Sequence, residues 1–375
     1  MRAVLTIGVM SAAVFCVTVS GQSGRHLNPM VDLLAAKKAV FGLGLPTAGG
    51  GRGGGGGGNR GTGAGATGAA GATGAAGAAT TPAPTPAPPP AAPPRTPLEM
   101  AKDAIAHQEG DYFFSGSMEG GVDRGLPGLV AMMDAIVEAG GIQMKPFPRL
   151  LVPINVKTPN ISRPDRPADP AQYVSNISRQ LNAGVTTISF VEVDTAEELS
   201  QGIAAMRFKS KGGTRPDDVG NAPKYWGLKE ADYRKKADVW PLNKDGELVA
   251  WAIVETKEGL ANVREIAQVK GLGVLVPGAG TLGGVFRKLY ANGQPMVDPN
   301  TGRGMRDDVA WEAAIQKVLA ACKEFKIPCG YPVSENDIET RMQQGFNVAI
   351  LQSFGDPAFR AVAKGRALSG RDKEK

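Results

Sequence analysis

The stretch Val249–Leu282 reads as strand, helix, strand. It leaves one acid, Glu255, at the end of its first strand, whereas the second strand ends in Gly278-Ala279-Gly280-Thr281-Leu282 with no acid beside it. Other candidate strands end on charges too. Glu119 follows Tyr112–Ser117, Lys157 follows Leu150–Val156, and Glu192 and Asp194 lie at the end of Thr186–Val193. Each charge alone is an ordinary solvated loop residue. Together they are several acids and a base that converge on one rim if the strands run parallel, and such convergence is what acid–base chemistry needs.

The elements that would position them are legible as short apolar runs separated by helix-period segments. Besides the strands named above, Ala39–Leu45, Val249–Glu255, Gly273–Pro277, Ile327–Val333 and Phe346–Ser353 have strand character. Thr195-Ala196-Glu197-Glu198 is a capping box opening one helix, Thr96 to His107 reads as another, and Leu260, Val263, Ile266 and Ala267 share one face of a third. Eight strands alternating with helices predict a (β/α)₈ barrel, whose chemistry sits where strands run into the following loops. A doubly wound open sheet is the alternative. It would need a compact glycine turn for a nucleotide, and the run Gly49–Gly58 is too long and irregular for that.

The 375 residues, 42% of them hydrophobic, are enough for one core of barrel size. Met1-Arg2, the apolar run Ala3–Val19 and Ser20-Gly21 have the three parts of a secretory signal. The run is shorter than the roughly 18 residues of a membrane span, so residues 1–20 are expected to be removed and the protein to be secreted or periplasmic, with no membrane association after cleavage. Cys322 and Cys329 then remain, as one disulfide or as two buried thiols. The net charge of +6 is spread out, without the basic stripe and interleaved aromatics of a nucleic-acid binder, and Lys209, Lys211 and Arg215 read as a solvated basic loop. Residues 21–46 are expected to begin the barrel, 98–368 to complete it, and 369–375 to form a charged tail. Residues 47–97 are low in complexity, glycine-rich and then rich in Pro, Ala and Thr. They are expected to be a disordered insert in the first strand-to-helix loop, because only about 25 residues of mature chain precede them.

From Asn28 onward, outside that insert, the chain resembles the HpcH/HpaI 2-oxo-acid aldolase and citrate lyase family of metal-dependent carbon–carbon lyases. The resemblance is carried by "AVFGLGL" (39–45), "DYFFSGSMEGG" (111–121), "VPINVKTPN" (152–160), "AGVTTISFVEVDTAEEL" (183–199), "YWGLKEADYRKKAD" (225–238), "AIVETKEGLANVREI" (252–266) and "VKGLGVLVPGAGTL" (269–282), in the family's order and spacing. It implies Mg²⁺ or Mn²⁺ held by two carboxylates, a small 2-oxo acid chelated by the metal and passing through a metal-bound enolate, an arginine for the substrate, and a histidine with an acidic partner for protons.

Carried over residue by residue, Glu255 matches the first metal carboxylate, while the second falls on Thr281. The substrate arginine falls on Lys157, which keeps the charge and loses the bidentate fork. The histidine falls on Gly120 and its aspartate on Ser117, with Glu119 kept between them, so Lys157 and Glu119 are the candidate catalytic residues. Lys157 and the turn Gly278, Ala279, Gly280, Thr281 are the candidate substrate contacts. Glu192 is a candidate replacement metal ligand beside Glu255. The resemblance implies a lyase with an altered site, working alone or as a homo-oligomer. The alternative is a catalytically impaired pseudo-enzyme that binds a small organic acid or a protein partner.

Overall fold

Short runs rich in β-branched and aromatic residues form eight parallel barrel strands in the computed structural model, which describes residues 26–47, 94–107, 109–141, 154–158 and 169–372, and a further two-residue strand, Val239–Trp240, pairs parallel with Leu248–Val254. They are β1 Val40–Gly44, β2 Tyr112–Ser115, β3 Ile154–Thr158, β4 Thr187–Phe190, β5 Leu248–Val254, β6 Leu272–Pro277, β7 Gly330–Pro332 and β8 Val348–Ile350. Parallel ladders run from β1 through β2, β3, β4 and β5 to β6. β8 pairs with both β1 and β7. A bridge between Leu275 of β6 and Cys329, just before β7, closes the ring. The fold is the (β/α)₈ barrel expected from the alternation. Closure removes the exposed edges that an open sheet would present.

Capping chemistry places the helices. Thr96 and Glu99 form a capping box with Pro97 in the first turn of Pro97–Ala106, Asp169 caps Pro170–Asn182, and Thr195 with Glu198 forms the capping box of Ala196–Met206. Pro97 is therefore the start of a helix rather than the end of the insert. Residues 45–47 leave the carboxyl end of β1 and 94–96 lead into that helix; the rest of the insert, 48–93, and residues 1–25 lie outside the described residues. Among the described residues, no helix is long and apolar enough to cross a membrane.

Two apolar shells hold the barrel. The lumen contains Tyr112, Phe114, Val249, Trp251, Ile253, Val274, Val276, Val348 and Ile350, with the rings of Tyr112 and Trp251 edge to face at 5.4 Å. Helix Pro29–Ala35 adds Met30, Val31 and Leu34 to this lumen and so plugs the amino end of the barrel. Its formation follows from Pro29 in the first turn and from Asn28, whose side chain accepts the Met30 N–H at 3.1 Å. The second shell lies between the strands and the outer helices.

Two buried acids pin this amino end. Glu247, fully buried, accepts the N–H groups of Leu27 at 3.1 Å and Asn28 at 2.9 Å, and pairs with Lys236 at 3.1 Å and His26 at 3.3 Å. Asp111 accepts the Phe41 N–H at 2.9 Å and both nitrogens of Arg371, at 2.8 and 2.9 Å. Arg371, within the segment read as a charged tail, is thus a buried ion-pair partner.

Several local expectations change. Thr186–Val193 narrows to β4 because Glu192 turns into the left-handed region, at φ 53°. Ile327–Val333 narrows to β7 because Lys326 ends the preceding helix at φ 58°. The helix carrying Leu260 through Ala267 breaks at Asn262 into Lys257–Ala261 and Val263–Ala267, since the Asn262 side chain donates to the Asp194 carbonyl at 2.8 Å. Arg215 is no solvated loop residue: it is fully buried, stacked 4.2 Å over Phe208 and bonded to Asn182 at 2.7 Å and to the Tyr233 hydroxyl at 3.2 Å. Cys322 and Cys329 are joined as a disulfide, S–S 2.18 Å.

Removing one member of a buried ion pair strands the other, so Asp111→Ala should lower stability by about 3–5 kcal/mol. The double substitution Asp111→Leu/Arg371→Leu should cost much less, as read from denaturant midpoints. The His26–Glu247 pair predicts a pH dependence. The hydrogen bond to Glu247 raises the His26 pKa above 6.5, so its contribution is complete below that value and fades as pH rises through the raised folded-state value. Burial alone would raise Glu247, but the bonds from His26, Asn28 and Leu27 outweigh it and hold its pKa down, so its contribution is lost only as pH falls through the lowered value. Equilibrium unfolding across pH should therefore show His26→Gln losing the decline that wild type has above about pH 6.5.

Candidate functional site

Parallel strands put all eight carboxyl ends on one face, and the candidate site forms where β4, β5 and β6 reach it. Glu255 follows the last residue of β5 and is buried, at 3% exposure. Its Oε1 accepts the Glu192 N–H at 3.0 Å, from the turn that follows β4. Glu192 reaches this position with a backbone conformation that costs an L-residue roughly 1–2 kcal/mol.

The same loop is fastened to β5 on both sides of Glu255. Val193 donates to the Ile253 carbonyl at 3.0 Å, and the Thr256 hydroxyl donates to the Asp194 carboxylate. Thr256 also caps the next helix, accepting the Gly259 N–H at 2.9 Å. The acid is thus held by its own side chain, by the backbone before it and by the hydroxyl after it.

β6 supplies the floor. Gly278 donates to the Val254 carbonyl at 2.9 Å, and a Cβ there would stand 2.4 Å from both Cβ and Oε2 of Glu255. Only glycine allows β6 to approach the carboxylate so closely. Ala279 is buried, and its carbonyl accepts the Trp311 indole N–H at 2.8 Å. Gly280 and Thr281 are exposed in the first turn of helix Ala279–Val285.

The structure therefore brings Glu255, the Glu192 amide and Gly278 into direct contact, with Asp194 one bond away through Thr256. Glu119, half-buried, lies in the turn after β2 on the same face. Lys157 is the fourth residue of β3, in register with Ser189 of β4, which is itself in register with Trp251 of β5. Both histidines lie elsewhere. His26 sits at the amino end with Glu247, and His107 stacks 4.3 Å from Phe359 in the outer layer. With two histidines in the whole chain, none serves as the proton carrier at this rim.

Asp194 was visible in the sequence as a charge at a strand's end, but its bond to Thr256 was not. Residues 286–307 are a second surprise. They form a small antiparallel meander, with bridges Arg287–Arg306, Leu289–Pro295 and Val297–Gly304, in the loop region after β6. Its mixed polar pattern carried no strand signal.

A metal can be tested against these groups. Among the described residues, no group of three or more His, Cys, Asp or Glu could hold one. A hard divalent ion needs only one or two protein carboxylates when substrate and water fill the remaining positions. A buried, preoriented Glu255 fits that role.

Comparison with known proteins agrees with the geometry. The model of the HpcH/HpaI aldolase/citrate lyase family matches residues 166–351, a span that contains Glu192, Glu255 and the turn at 278–281. An HpcH/HpaI aldolase/citrate lyase family protein from Burkholderia cenocepacia J2315 superposes with a TM-score of 0.53 at 17% identity, over 92% of this chain and 98% of that one. An HpcH/HpaI aldolase from Desulfitobacterium hafniense DCB-2 superposes with a TM-score of 0.52 at 14% identity, over 92% and 96% of the two chains. At these identities the likeness concerns the fold. No curated protein sequence matches the chain.

Gly278→Ala tests the packing directly. It should cost about 1–3 kcal/mol by overpacking against Glu255, and Gly278→Ala/Glu255→Ala should recover most of that loss in thermal unfolding. The family match over β4 to β8, together with the barrel, assigns this chain to the HpcH/HpaI aldolase/citrate lyase family.

Proposed function

We propose that this chain is a carbon–carbon lyase of the aldolase type that acts on a small 2-oxo acid at the Glu255 rim, with Mg²⁺ or Mn²⁺ as cofactor. Family membership supports a lyase-type enzyme. The observation that carries the finer reading is the Glu255 carboxylate itself, buried at the carboxyl end of β5, oriented by the Glu192 amide and seated on Gly278. Burying an acid is costly unless the protein rebuilds its solvation, and the left-handed turn at Glu192 is spent on doing so.

In this reading Glu255 is the principal anchor of the ion, and Glu192 is its candidate partner in place of the acid that the family has where Thr281 stands. When bound, the ion acts as a Lewis acid on the substrate carbonyl. The chain's own groups do the rest. Lys157 supplies a positive charge for the substrate carboxylate, as a point charge rather than a bidentate fork. The side-chain-poor turn Gly278, Ala279, Gly280, Thr281 leaves room beside Glu255 for a small acid. Glu119 is the proposed proton carrier, because no histidine reaches the rim.

The second reading is a pseudo-enzyme that binds a small organic acid without turning it over. It is favoured by a specific observation: Thr281 is neutral and exposed at the position of the second carboxylate.

Calorimetric titration with Mg²⁺ and Mn²⁺, followed by a retro-aldol assay that detects released pyruvate, separates the two readings. Glu255→Gln keeps the size and removes the charge, so metal affinity should fall at least tenfold while the fold survives. Lys157→Met should abolish binding of oxalate or pyruvate, and Lys157→Arg should preserve it. Wild-type protein that binds the organic acid but neither metal leaves the pseudo-enzyme reading standing and overturns the lyase.

A further inference from the structure

The barrel is not closed evenly. β5 and β6 pair along their length, from Ala250–Leu272 to Val254–Pro277, and β8 is laddered to β7 from Gly330–Val348 to Pro332–Ile350. Between β6 and β7, the described residues show one bridge, Leu275–Cys329, made by the Leu275 N–H to the Pro328 carbonyl at 3.0 Å. Beyond it the two strands meet through side chains. A Cβ at Gly330 would stand 2.9 Å from Cγ2 of Val276, so β7 can come this near β6 only as glycine.

Cys329 is both the residue of that bridge and one end of the disulfide. The other end, Cys322, lies in helix Asp308–Phe325, and both cysteines are 2% exposed. Near its start the same helix carries Trp311, whose indole donates to the Ala279 carbonyl one residue after Gly278. One rigid element therefore connects the cysteine pair to the turn beneath Glu255.

We propose that Cys322–Cys329 is a redox latch on the β6–β7 seam. Oxidised, it ties the start of β7 to the helix, holds the seam shut and keeps Gly278 against Glu255. Reduced, it leaves a single backbone bridge and side-chain packing at that seam, and β6 and β7 separate locally without loss of the other ladders. The chemistry is thiol–disulfide exchange with a small dithiol. One dithiol sulfur attacks the bridge through a mixed disulfide, two electrons and two protons pass to the cysteines, and the dithiol closes into its own disulfide. Because both cysteines are buried, the reductant reaches them during local opening of this low-stability seam.

Hydrogen exchange of the full chain, read by mass spectrometry before and after treatment with dithiothreitol, tests the latch. Exchange of the Leu275 amide and of residues 327–330, which face the seam, should rise at least tenfold on reduction, while β2, β4 and the β5–β6 ladder keep their protection. Cys322→Ala/Cys329→Ala should already exchange like the reduced protein and should not respond to the dithiol. Two free thiols in denatured, unreduced protein would overturn the proposal. So would unchanged exchange at the seam, or a rise spread equally over all strands. None of these readouts depends on metal binding or turnover, so failure of the latch and failure of the lyase reading are separate results.

Discussion

A carboxylate taken out of water must be solvated by the protein, and this constraint shapes both ends of the barrel. At the amino end Asp111 and Glu247 are buried; Asp111 takes one backbone N–H together with Arg371 and Arg366, and Glu247 takes two together with Lys236 and His26. At the carboxyl end Glu255 is just as deep, and a backbone amide is turned toward it by forcing Glu192 into a conformation that L-residues avoid. The first two acids lock the N-terminal segment and the last turn of the chain onto the barrel. The third sits where barrels of this kind do their chemistry.

Rigidity at the rim comes from mutual dependence between neighbouring strands. The loop after β4 reaches Glu255, Thr256 and Asn262 through three kinds of group: an amide, a carboxylate and a carbonyl. β6 then closes underneath through a glycine that has no atom to spare. Displacing any one of these moves the carboxylate. A side chain fixed by that many contacts is preorganised, and preorganised charge is what gives electrostatic catalysis its leverage.

The departures that the resemblance implies are all assigned to this same rim. On the proposed reading, Thr281 stands where the resemblance implies an acid and Lys157 where it implies an arginine, and no histidine lies at this rim; Lys157 is at the same time a β3 residue in register with Ser189 of β4, so the ladder accepts the change. Fold and activity can therefore drift apart in one chain, and function has to be argued from the site.

Much of the architecture was legible in the residues because each element announces itself locally. The eight apolar runs, the Thr195–Glu198 capping box and the helix from Thr96 involve neighbours in sequence, and short-range physics is enough to read them. The acids at strand ends were legible for the same reason once the strands were taken as parallel. What the sequence could not show were pairings across long separations: the Glu192 amide on Glu255, 63 residues apart; Arg371 on Asp111, 260 apart; and Glu247 on the segment at 27–28, some 220 apart. Arg215 looked like a solvated charge, Arg371 like part of a charged tail and Asn262 like one more helical residue, because nothing near them in the chain reveals a partner. Burial and left-handed turns are consequences of closing the ring, so only the tertiary structure decided which charged groups are inside and which carbonyl or carboxylate each one meets.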